Sequence, residues 1–240
     1  MRVLEPHPTQ LPRDYLDRIA AIHRLLRPRT YLEIGVGHGR SLALAGPETL
    51  AVGVDPAPEL LVELPPRARV VQKTSDDFFA GHDMAEIFEG RPLDLVFIDG
   101  LHLVEFALHD IARAVRHCAP DARMLVHDTL PWERRIALRE RETQAWTGDV
   151  WKVGPALRTH CPGLAMLTVD VAPSGLTILG RLNAAVGLLD RCDAVVAEVF
   201  DLDFEFFTTD GRAALNVVPD DPDGAPAWIA ATAAGDECAS

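Results

Sequence analysis

The stretch Tyr31-Leu-Glu-Ile-Gly-Val-Gly-His-Gly39 joins an apolar run to a glycine-rich turn, and it decides the fold. Its first part, Tyr31–Val36, has the near-continuous aliphatic character of a strand that is buried on both faces. The glycines that follow let the backbone approach a ligand closely, with backbone N–H groups directed at it. A dinucleotide-binding fingerprint, G-x-G-x-x-G, would need its third glycine where Arg40 stands. On its own, therefore, the motif indicates only that backbone and ligand come close.

Four more apolar runs follow this turn, and helix-like segments separate them. Runs of this length suit parallel strands, and the segments between them are long enough for right-handed crossovers. The predicted strands are Leu50–Val54, Arg69–Gln72, Leu93–Ile98 and Arg123–Val126. The predicted helices are Ser41–Ala45, Pro58–Leu64, Asp83–Glu89 and Val104–His117. This alternation predicts an α/β fold with a doubly wound, Rossmann-like sheet.

The flanking segments complete the predicted organisation. Periodic apolar residues predict a helix over Pro12–Arg27, and the polar stretch Thr129–Gly148 is expected to be a loop with a helical piece. A helix, two strands joined by a Pro-Ser-Gly turn, and a last helix are expected at Val150–His160, Leu164–Val171, Leu176–Leu182 and Asn183–Val199. The predicted units are an N-terminal helical segment 1–28, a Rossmann-like domain 29–182, a C-terminal helix and extension 183–218, and an acidic, mobile tail 219–240.

Composition narrows the function classes. The chain has 240 residues, of which 48% are hydrophobic and 25% charged, as in ordinary globular proteins. Its formal net charge of −13 repels polyanions, so nucleic acid is not an expected partner. No apolar stretch approaches the roughly 20 residues of a membrane span. The N-terminus lacks the apolar core of a signal peptide, and the scattered cysteines fit reduced thiols, so we expect a cytoplasmic protein.

Acidic residues fall where the predicted strands end. Glu33 stands near the end of the first run, and Asp55, Asp99 and Asp128 close the second, fourth and fifth. In open α/β sheets, ligands bind outside the carboxyl ends of the strands. An acid that closes the second strand can accept both ribose hydroxyls of a nucleoside, so a nucleoside-binding edge is predicted here.

Five motifs occur in an order that resembles a known family. They are E-I-G-V-G-H-G at 33–39, V-G-V-D-P at 52–56, K-T-S-D-D at 73–77, F-I-D-G-L-H at 97–102 and L-V-H-D-T-L-P at 125–131. Together they resemble class I S-adenosylmethionine-dependent methyltransferases. Within these, the chain is similar to the small O-methyltransferases related to catechol-type and macrolide-sugar enzymes. The resemblance covers about Tyr31 to Leu182.

This resemblance implies a sheet of seven strands in the order 3-2-1-4-5-7-6, with the seventh strand antiparallel. It also implies a cofactor site for S-adenosylmethionine. Asp55 would bind the ribose, Ser75 and Asp76 would lie at the adenine, and Asp99 would lie beneath the reactive methyl group. The residues implied at the methionine and ribose part are Glu33, Gly35, Gly37 and Gly39.

Two routes to an activated acceptor oxygen stay open. In the first, a histidine acts as general base, and His102 stands where catechol-type enzymes carry their basic lysine. The alternative for His102 is a structural role, as the cap of the next helix or a hydrogen-bond partner of Asp99. In the second route, Asp99 and Asp128 hold Mg²⁺ or Mn²⁺. The sequence departs from the family here.

The departures concern the third metal ligand. Catechol-type enzymes have Asn after the second Asp, where this chain has Thr129, and the sugar enzymes have Glu before it, where this chain has His127. Neutral imidazole is a poorer magnesium ligand than carboxylate, so His127 is expected either to favour Mn²⁺ or Fe²⁺ as a ligand or to be the base itself. The candidate catalytic residues are thus His102, Asp99 and His127, and the candidate metal ligands are Asp99, Asp128 and His127.

The expected function is methyl transfer to a hydroxyl of a small molecule, such as a sugar of a natural product or a vicinal diol. A protein that binds the nucleoside without catalysis is one alternative. A nucleotide-cofactor oxidoreductase is another, although its third glycine and its Tyr-x-x-x-Lys signature are missing. The expected partners are a small-molecule acceptor and a second copy of the chain, with no membrane.

Overall fold

A computed structural model describes residues 14–221, 228–230 and 232, and its centre is one eight-stranded sheet. The strands lie in the order β3-β2-β1-β4-β5-β7-β6-β8. Their bounds are β1 Thr30–Ile34, β2 Leu50–Val54, β3 Ala68–Val71, β4 Leu93–Ile98, β5 Cys118–His127, β6 Ala165–Asp170, β7 Leu176–Gly180 and β8 Val217–Pro219. Strands β1 to β5 pair in parallel, and β7 runs antiparallel to β5 and β6.

Helices cover both faces of this sheet. Their bounds are α1 Tyr15–Leu26, α2 Ser75–Gly81, α3 Met84–Ile87, α4 Val104–Ala114, α5 Val153–His160, α6 Cys192–Val199, α7 Phe204–Phe206 and α8 Arg212–Ala214. Short 3₁₀ turns lie at Leu42–Leu44, Val115–His117, Arg134–Ala137 and Val150–Lys152, a longer one lies at Leu182–Arg191, and a π-helical turn lies at Phe207–Gly211.

The two hydrophobic clusters explain the aliphatic strands. Neighbouring residues of a strand point to opposite faces, so Tyr31 packs in one cluster and Leu32 in the other, as do Leu95 and Val96 of β4. All five residues of β1 are buried. A strand covered on both sides cannot alternate apolar and polar residues, which is why the sequence pattern predicts it.

Local capping sets where several helices begin. Asp14 accepts hydrogen bonds from the backbone N–H groups of Leu16 and Asp17 at the start of α1. Thr74 does the same for Asp77 at the start of α2. Helix α4 has no such cap from Leu103, the residue that precedes it. The start of this helix is capped instead by a residue that is distant in the sequence.

The predicted sheet order is confirmed, and an eighth strand extends it. The prediction of seven strands was wrong because the short Val217–Pro219 segment adds to β6 in parallel at the edge of the sheet. Three residues with weak periodicity carry little strand signal, and Pro219 is tolerated only because the strand is at an edge.

Several predicted helices differ in the structure. Pro58–Leu64 is not helical, because its backbone bonds to the glycine turn instead: Glu59 N–H donates to the Gly37 carbonyl and Leu61 N–H to the His38 carbonyl. Ser41–Ala45 contains only a 3₁₀ turn at Leu42–Leu44. The predicted helix over Asn183–Val199 is 3₁₀ as far as Arg191 and α-helical from Cys192.

The expected tail, 219–240, is described only in part. Within that part, Trp228 and Ile229 are buried in the cluster that includes Ile19 of α1, and the Arg18 guanidinium lies 5.5 Å from the centre of the Trp228 ring. This portion therefore packs on the domain. Across the described ranges, none of the helices has the length and hydropathy that crossing a bilayer requires.

Candidate functional site

The carboxyl ends of the central strands lie in one row. Ile34 of β1 pairs with Val54 of β2 and with Ile98 of β4, and Ile98 pairs with Val126 of β5. Because the register is aligned, the next residues of each strand meet at the same edge of the sheet. Asp55, Asp99 and Asp128 follow these ends, as the sequence predicts.

Gly35 brings the glycine turn directly against the end of β4. Its φ is +87°, and a Cβ atom at this position would lie 2.0 Å from the carbonyl oxygen of Asp99. No side chain fits there, and the left-handed backbone also favours glycine. The turn and Asp99 are therefore in contact through their backbones.

Asp55 joins the same turn to β2. One of its oxygens accepts hydrogen bonds from the N–H groups of Val36 and Gly37, each at 2.9 Å. The other accepts from Ala57 N–H at 2.8 Å. A carboxylate has about four lone-pair sites, so acceptor capacity remains for a ligand.

A cavity of about 600 Å³ runs along this edge. This volume lies within the range of small-molecule and cofactor sites. The predicted cofactor residues that line it are Gly35, Gly37, Asp55, Ser75, Asp76 and Asp99. The lining residues that the sequence analysis missed include Tyr15, Arg40, Ser41, Phe106 and Asp110. Tyr15 and Asp110 belong to helices α1 and α4, so no motif near a strand end could have marked them.

Two predicted cofactor residues do not line this cavity. Gly39, with φ of +79°, packs against the Leu60 side chain. Glu33 is fully buried below the cavity, where it accepts hydrogen bonds from the hydroxyls of Tyr31 and Ser41, both at 2.6 Å. Glu33 therefore does not touch the cavity itself but holds the hydroxyl of Ser41, which lines it.

Burial changes the ionisation of Glu33. Loss of hydration raises its pKa to about 8, and the nearby carboxylates of Asp99 and Asp55 act in the same direction, while the two hydroxyl donors oppose the change. Burial thus favours the protonated form of Glu33.

Two histidines and two aspartates form a cluster next to Asp99. His127 Nδ1 lies 3.2 Å from Asp99 Oδ1 and 3.5 Å from Asp128 Oδ1. His102 Nδ1 lies 3.1 Å from Asp128 Oδ2, and its Nε2 lies 3.5 Å from Asp99 Oδ1. Each of the two imidazoles thus lies within 3.5 Å of both carboxylates.

The cluster is charged in the ligand-free protein. Burial acts to lower the pKa of His127, but the carboxylates of Asp99 and Asp128 outweigh it and raise the pKa to about 10. The same balance raises the pKa of His102 to about 9. In return, although burial acts to raise it, the two imidazoles hold the pKa of Asp99 well below its usual range.

The two histidines differ in access. The side chain of His127 is 6% exposed and stacks on the Tyr15 ring with centroids 3.9 Å apart. Its Nε2 is buried and has no hydrogen-bond partner among the described residues. The side chain of His102 is 24% exposed. Of the two candidate bases, His102 is therefore the one that a ligand can reach.

Asp128 is held in a strained conformation. Its φ of +61° lies in the left-handed region, which is uncommon for residues other than glycine. The hydroxyl of Ser174 donates a hydrogen bond to Asp128 Oδ1. The strained turn after β5 aims this carboxylate into the cluster, and strain of this kind is concentrated at functional sites.

One group in this cluster has metal-ligand spacing. Within the described part of the chain, Asp99, His102 and Asp128 each offer a ligand atom, and these atoms lie within 4.8 Å of one another. His127, the imidazole ligand expected from the sequence, faces Asp99 with its Nδ1 from a buried position, and its role as a ligand stays a prediction. Thr129 is buried and accepts a hydrogen bond from Thr177 at 2.8 Å, so its hydroxyl has a structural partner.

The site lies in a recognisable domain. Residues 32–129, somewhat under half of the chain, match the family model described as a methyltransferase domain. No protein of curated function matches the chain. The match bears out the resemblance to methyltransferases over this part of the chain.

Solved structures share the fold. A cofactor-bound protein from MTB, Rv0187, is 20% identical, with a TM-score of 0.55 over 73% of this chain and 83% of that one. An O-methyltransferase from Bacillus cereus, in complex with SAH, is 13% identical, with a TM-score of 0.51 over 74% and 83%. The O-methyltransferase TomG from Streptomyces achromogenes, in complex with SAM, is 15% identical, with a TM-score of 0.50 over 69% and 78%. Likeness at these identities shows a common fold.

The buried Glu33 predicts a pH dependence of stability. Between the ordinary pKa of 4.5 and about 8, the folded protein keeps the proton on Glu33 while the unfolded chain loses it. The free energy of unfolding therefore falls with rising pH, by about 1.4 kcal/mol per unit from this group. Glu33→Gln removes this contribution, so the variant is expected to gain stability relative to wild type from pH 5 to pH 8 in urea titrations.

The matched control is Glu48→Gln, which changes an exposed glutamate on the same domain. Its stability curve is expected to run parallel to that of wild type. If the Glu33→Gln curve also ran parallel to wild type across this pH range, Glu33 would be ionised in the folded state and its pKa would not be raised by burial.

Proposed function

We propose that this chain, which carries a methyltransferase domain over residues 32–129, transfers a methyl group from S-adenosylmethionine to a hydroxyl oxygen of a small molecule with the help of a divalent cation. One observation carries this proposal. Asp99 lines the cofactor-sized cavity and also belongs to the cluster of acids and imidazoles. The methyl donor and the groups that activate an acceptor can therefore meet at a single side chain.

The cavity suits an adenosine derivative. Asp55 offers acceptor capacity to ribose hydroxyls, and Ser75 and Asp76 lie at the start of α2, farther along the same wall. Two proteins of the same fold were solved with SAM or SAH, which supports this assignment. When bound, S-adenosylmethionine supplies a methyl carbon on a sulfonium sulfur, and transfer to the acceptor oxygen leaves the neutral thioether.

The acceptor hydroxyl must lose its proton as the carbon–oxygen bond forms. His102 is the reachable base as long as its Nε2, on the Asp99 side of the ring, is not a metal ligand. Where His102 binds a cation instead, the acceptor hydroxyl, with its pKa lowered by that cation, would release its proton to solvent. The pKa of His102 is raised to about 9, which favours the protonated imidazole at neutral pH. It becomes a neutral base or a neutral ligand when the pH rises above this value or when another positive charge compensates Asp99 and Asp128.

The donor set fits a divalent cation. Asp99 and Asp128 offer hard oxygen atoms and His102 offers an imidazole nitrogen. Mg²⁺ prefers oxygen ligands throughout, whereas imidazole suits Mn²⁺ and Fe²⁺ as well, so we expect Mn²⁺ to be preferred over Mg²⁺. When bound, the cation lowers the pKa of the acceptor hydroxyl and orients a substrate with two adjacent oxygens. His127 remains the buried group whose positive charge compensates the carboxylate of Asp99.

The acceptor class proposed on this basis is a molecule with vicinal oxygens, either a diol or a sugar. A protein that binds the nucleoside without catalysis is distinguished from an enzyme by measuring methyl transfer to a panel of such acceptors. A homodimer and a cytoplasmic location, both expected from the sequence, stay predictions.

Removing the Asp55 carboxylate is expected to weaken cofactor binding. Hydrogen bonds to charged groups contribute about 1.5–3 kcal/mol, so Asp55→Ala should bind SAH roughly 10- to 100-fold more weakly in calorimetry. Asp94→Ala is the matched control, because Asp94 also accepts a backbone N–H, that of Arg29 at 2.8 Å, but stands at the opposite end of β4. Equal affinity of wild type and Asp55→Ala for SAH would contradict the assignment of this cavity.

Metal binding can be measured without a known acceptor. We expect wild-type protein to bind one equivalent of Mn²⁺ in an electron paramagnetic resonance titration, and His102→Ala and Asp128→Ala to bind it about 10-fold or more weakly. Asp193→Ala is the control, because it removes the acid of another pair, His109 with Asp193 at 2.8 Å, away from the cavity. Methyl transfer is expected to stop in chelator and to return with Mn²⁺. Full activity in the presence of chelator would contradict the requirement for a metal and would leave His102 as the general base.

A further inference from the structure

A four-residue segment whose residues do not line the cofactor cavity contacts His102. This segment, Trp146–Asp149, is called the strap below. The Trp146 carbonyl accepts a hydrogen bond from His102 Nδ1 at 2.7 Å, and the Trp146 ring stacks on the imidazole with centroids 5.4 Å apart. Asp149 N–H donates to the His102 carbonyl at 3.2 Å. Both the ring and the backbone of His102 are thus held by the strap.

The strap comes closest to His102 at Gly148. Its φ is +54°, and a Cβ atom here would lie 1.6 Å from the carbonyl oxygen of His102. Either the strap or His102 would have to move to admit a side chain. The strap can pass this close to His102 only because the residue is glycine.

Asp149 fixes the strap to the start of α4. It is 1% exposed, and its Oδ1 accepts from Val104 N–H at 2.8 Å, which supplies the cap that Leu103 does not. Its Oδ2 pairs with Arg139 at 2.7 Å and with Lys152 at 3.0 Å. A buried carboxylate with this many donors is held in place, so Asp149 ties the strap to the start of α4, close to His102.

These contacts select the nitrogen that His102 can use. Nδ1 faces two acceptors, the Trp146 carbonyl and the Asp128 carboxylate. In the neutral ring the proton therefore belongs on Nδ1, and Nε2 on the Asp99 side keeps the lone pair. A partner that holds the other ring nitrogen is the usual means by which proteins orient a functional histidine.

We propose that the strap is the positioning element of His102, with Gly148 and Asp149 as its positioning residues, so that Nε2 is presented beside Asp99. This inference rests on the role proposed for His102 and adds how that role is maintained. The strap begins 44 positions after His102 in the sequence, and it lies outside the motifs at the strand ends.

The test compares Gly148→Ala with Gly90→Ala. Both glycines have positive φ, but a Cβ at Gly90 would meet no atom within 4 Å, so this control carries the same backbone strain away from the site. We expect Gly148→Ala to reduce kcat about 10- to 100-fold, as loss of an orienting partner does. Its affinity for SAH should stay at the wild-type value, because strap residues do not line the cavity. Gly90→Ala should match wild type in both.

A second readout is independent of activity. In ¹⁵N–¹H correlation spectra at alkaline pH, the neutral His102 ring is expected to carry its proton on Nδ1 in wild type and Gly90→Ala, and to lose this preference in Gly148→Ala. If Gly148→Ala does not fold, Asp149→Asn and Asp149→Ala replace it. Asn keeps an oxygen for Val104 N–H, so its defect in these spectra and in kcat should be the smaller of the two.

The inference would be overturned if Gly148→Ala behaved like Gly90→Ala in kcat and in the spectra, or if neutral His102 carried its proton on Nε2 in wild type. Failure of the proposed function gives a different result. In that case wild-type protein would bind no SAH or transfer no methyl group, while the spectra would still report how the strap orients the ring.

Discussion

The carboxylate of Asp99, which follows the end of β4 and is 20% exposed, is the group that organises the site. A carboxylate largely removed from water must be compensated by nearby charge or hydrogen bonds. At Asp99 the compensation comes from His127 below and His102 beside it. His127 is the last residue of β5 and His102 lies just beyond the end of β4, and the structure brings both to this acid. A cofactor cavity that opens onto Asp99 then has a proton acceptor and a ligand set within reach.

Several special features of the backbone converge on this arrangement. Gly35 lies against the Asp99 carbonyl, Asp128 adopts a left-handed conformation, and Gly148 lies against His102. The two glycines adopt the left-handed region without steric cost and admit these close contacts, whereas the same conformation is uncommon for an aspartate. Strain of the kind found at Asp128 persists only where the surrounding packing over-determines it.

The sequence predicts the sheet and the row of acids because both depend on local patterns. Buried strands are aliphatic, and each of Asp55, Asp99 and Asp128 directly follows one. The missed features depend on contacts between distant segments. Pro58–Leu64 has a helical composition but bonds to the glycine turn. Nothing in the local spacing tells that Glu33 lies below the cavity, that His102 rather than His127 is accessible, or that Asp149 caps α4.

A crystal structure with SAH and Mn²⁺, with the metal located by its anomalous scattering, would show whether both ligands meet at Asp99. We expect a metal peak in contact with Asp99, His102 and Asp128, and SAH in the cavity of about 600 Å³, with its ribose at Asp55 and its sulfur on the Asp99 side. SAH bound in a different cavity, or a metal peak away from Asp99, would contradict the claim that donor and acceptor meet at this carboxylate.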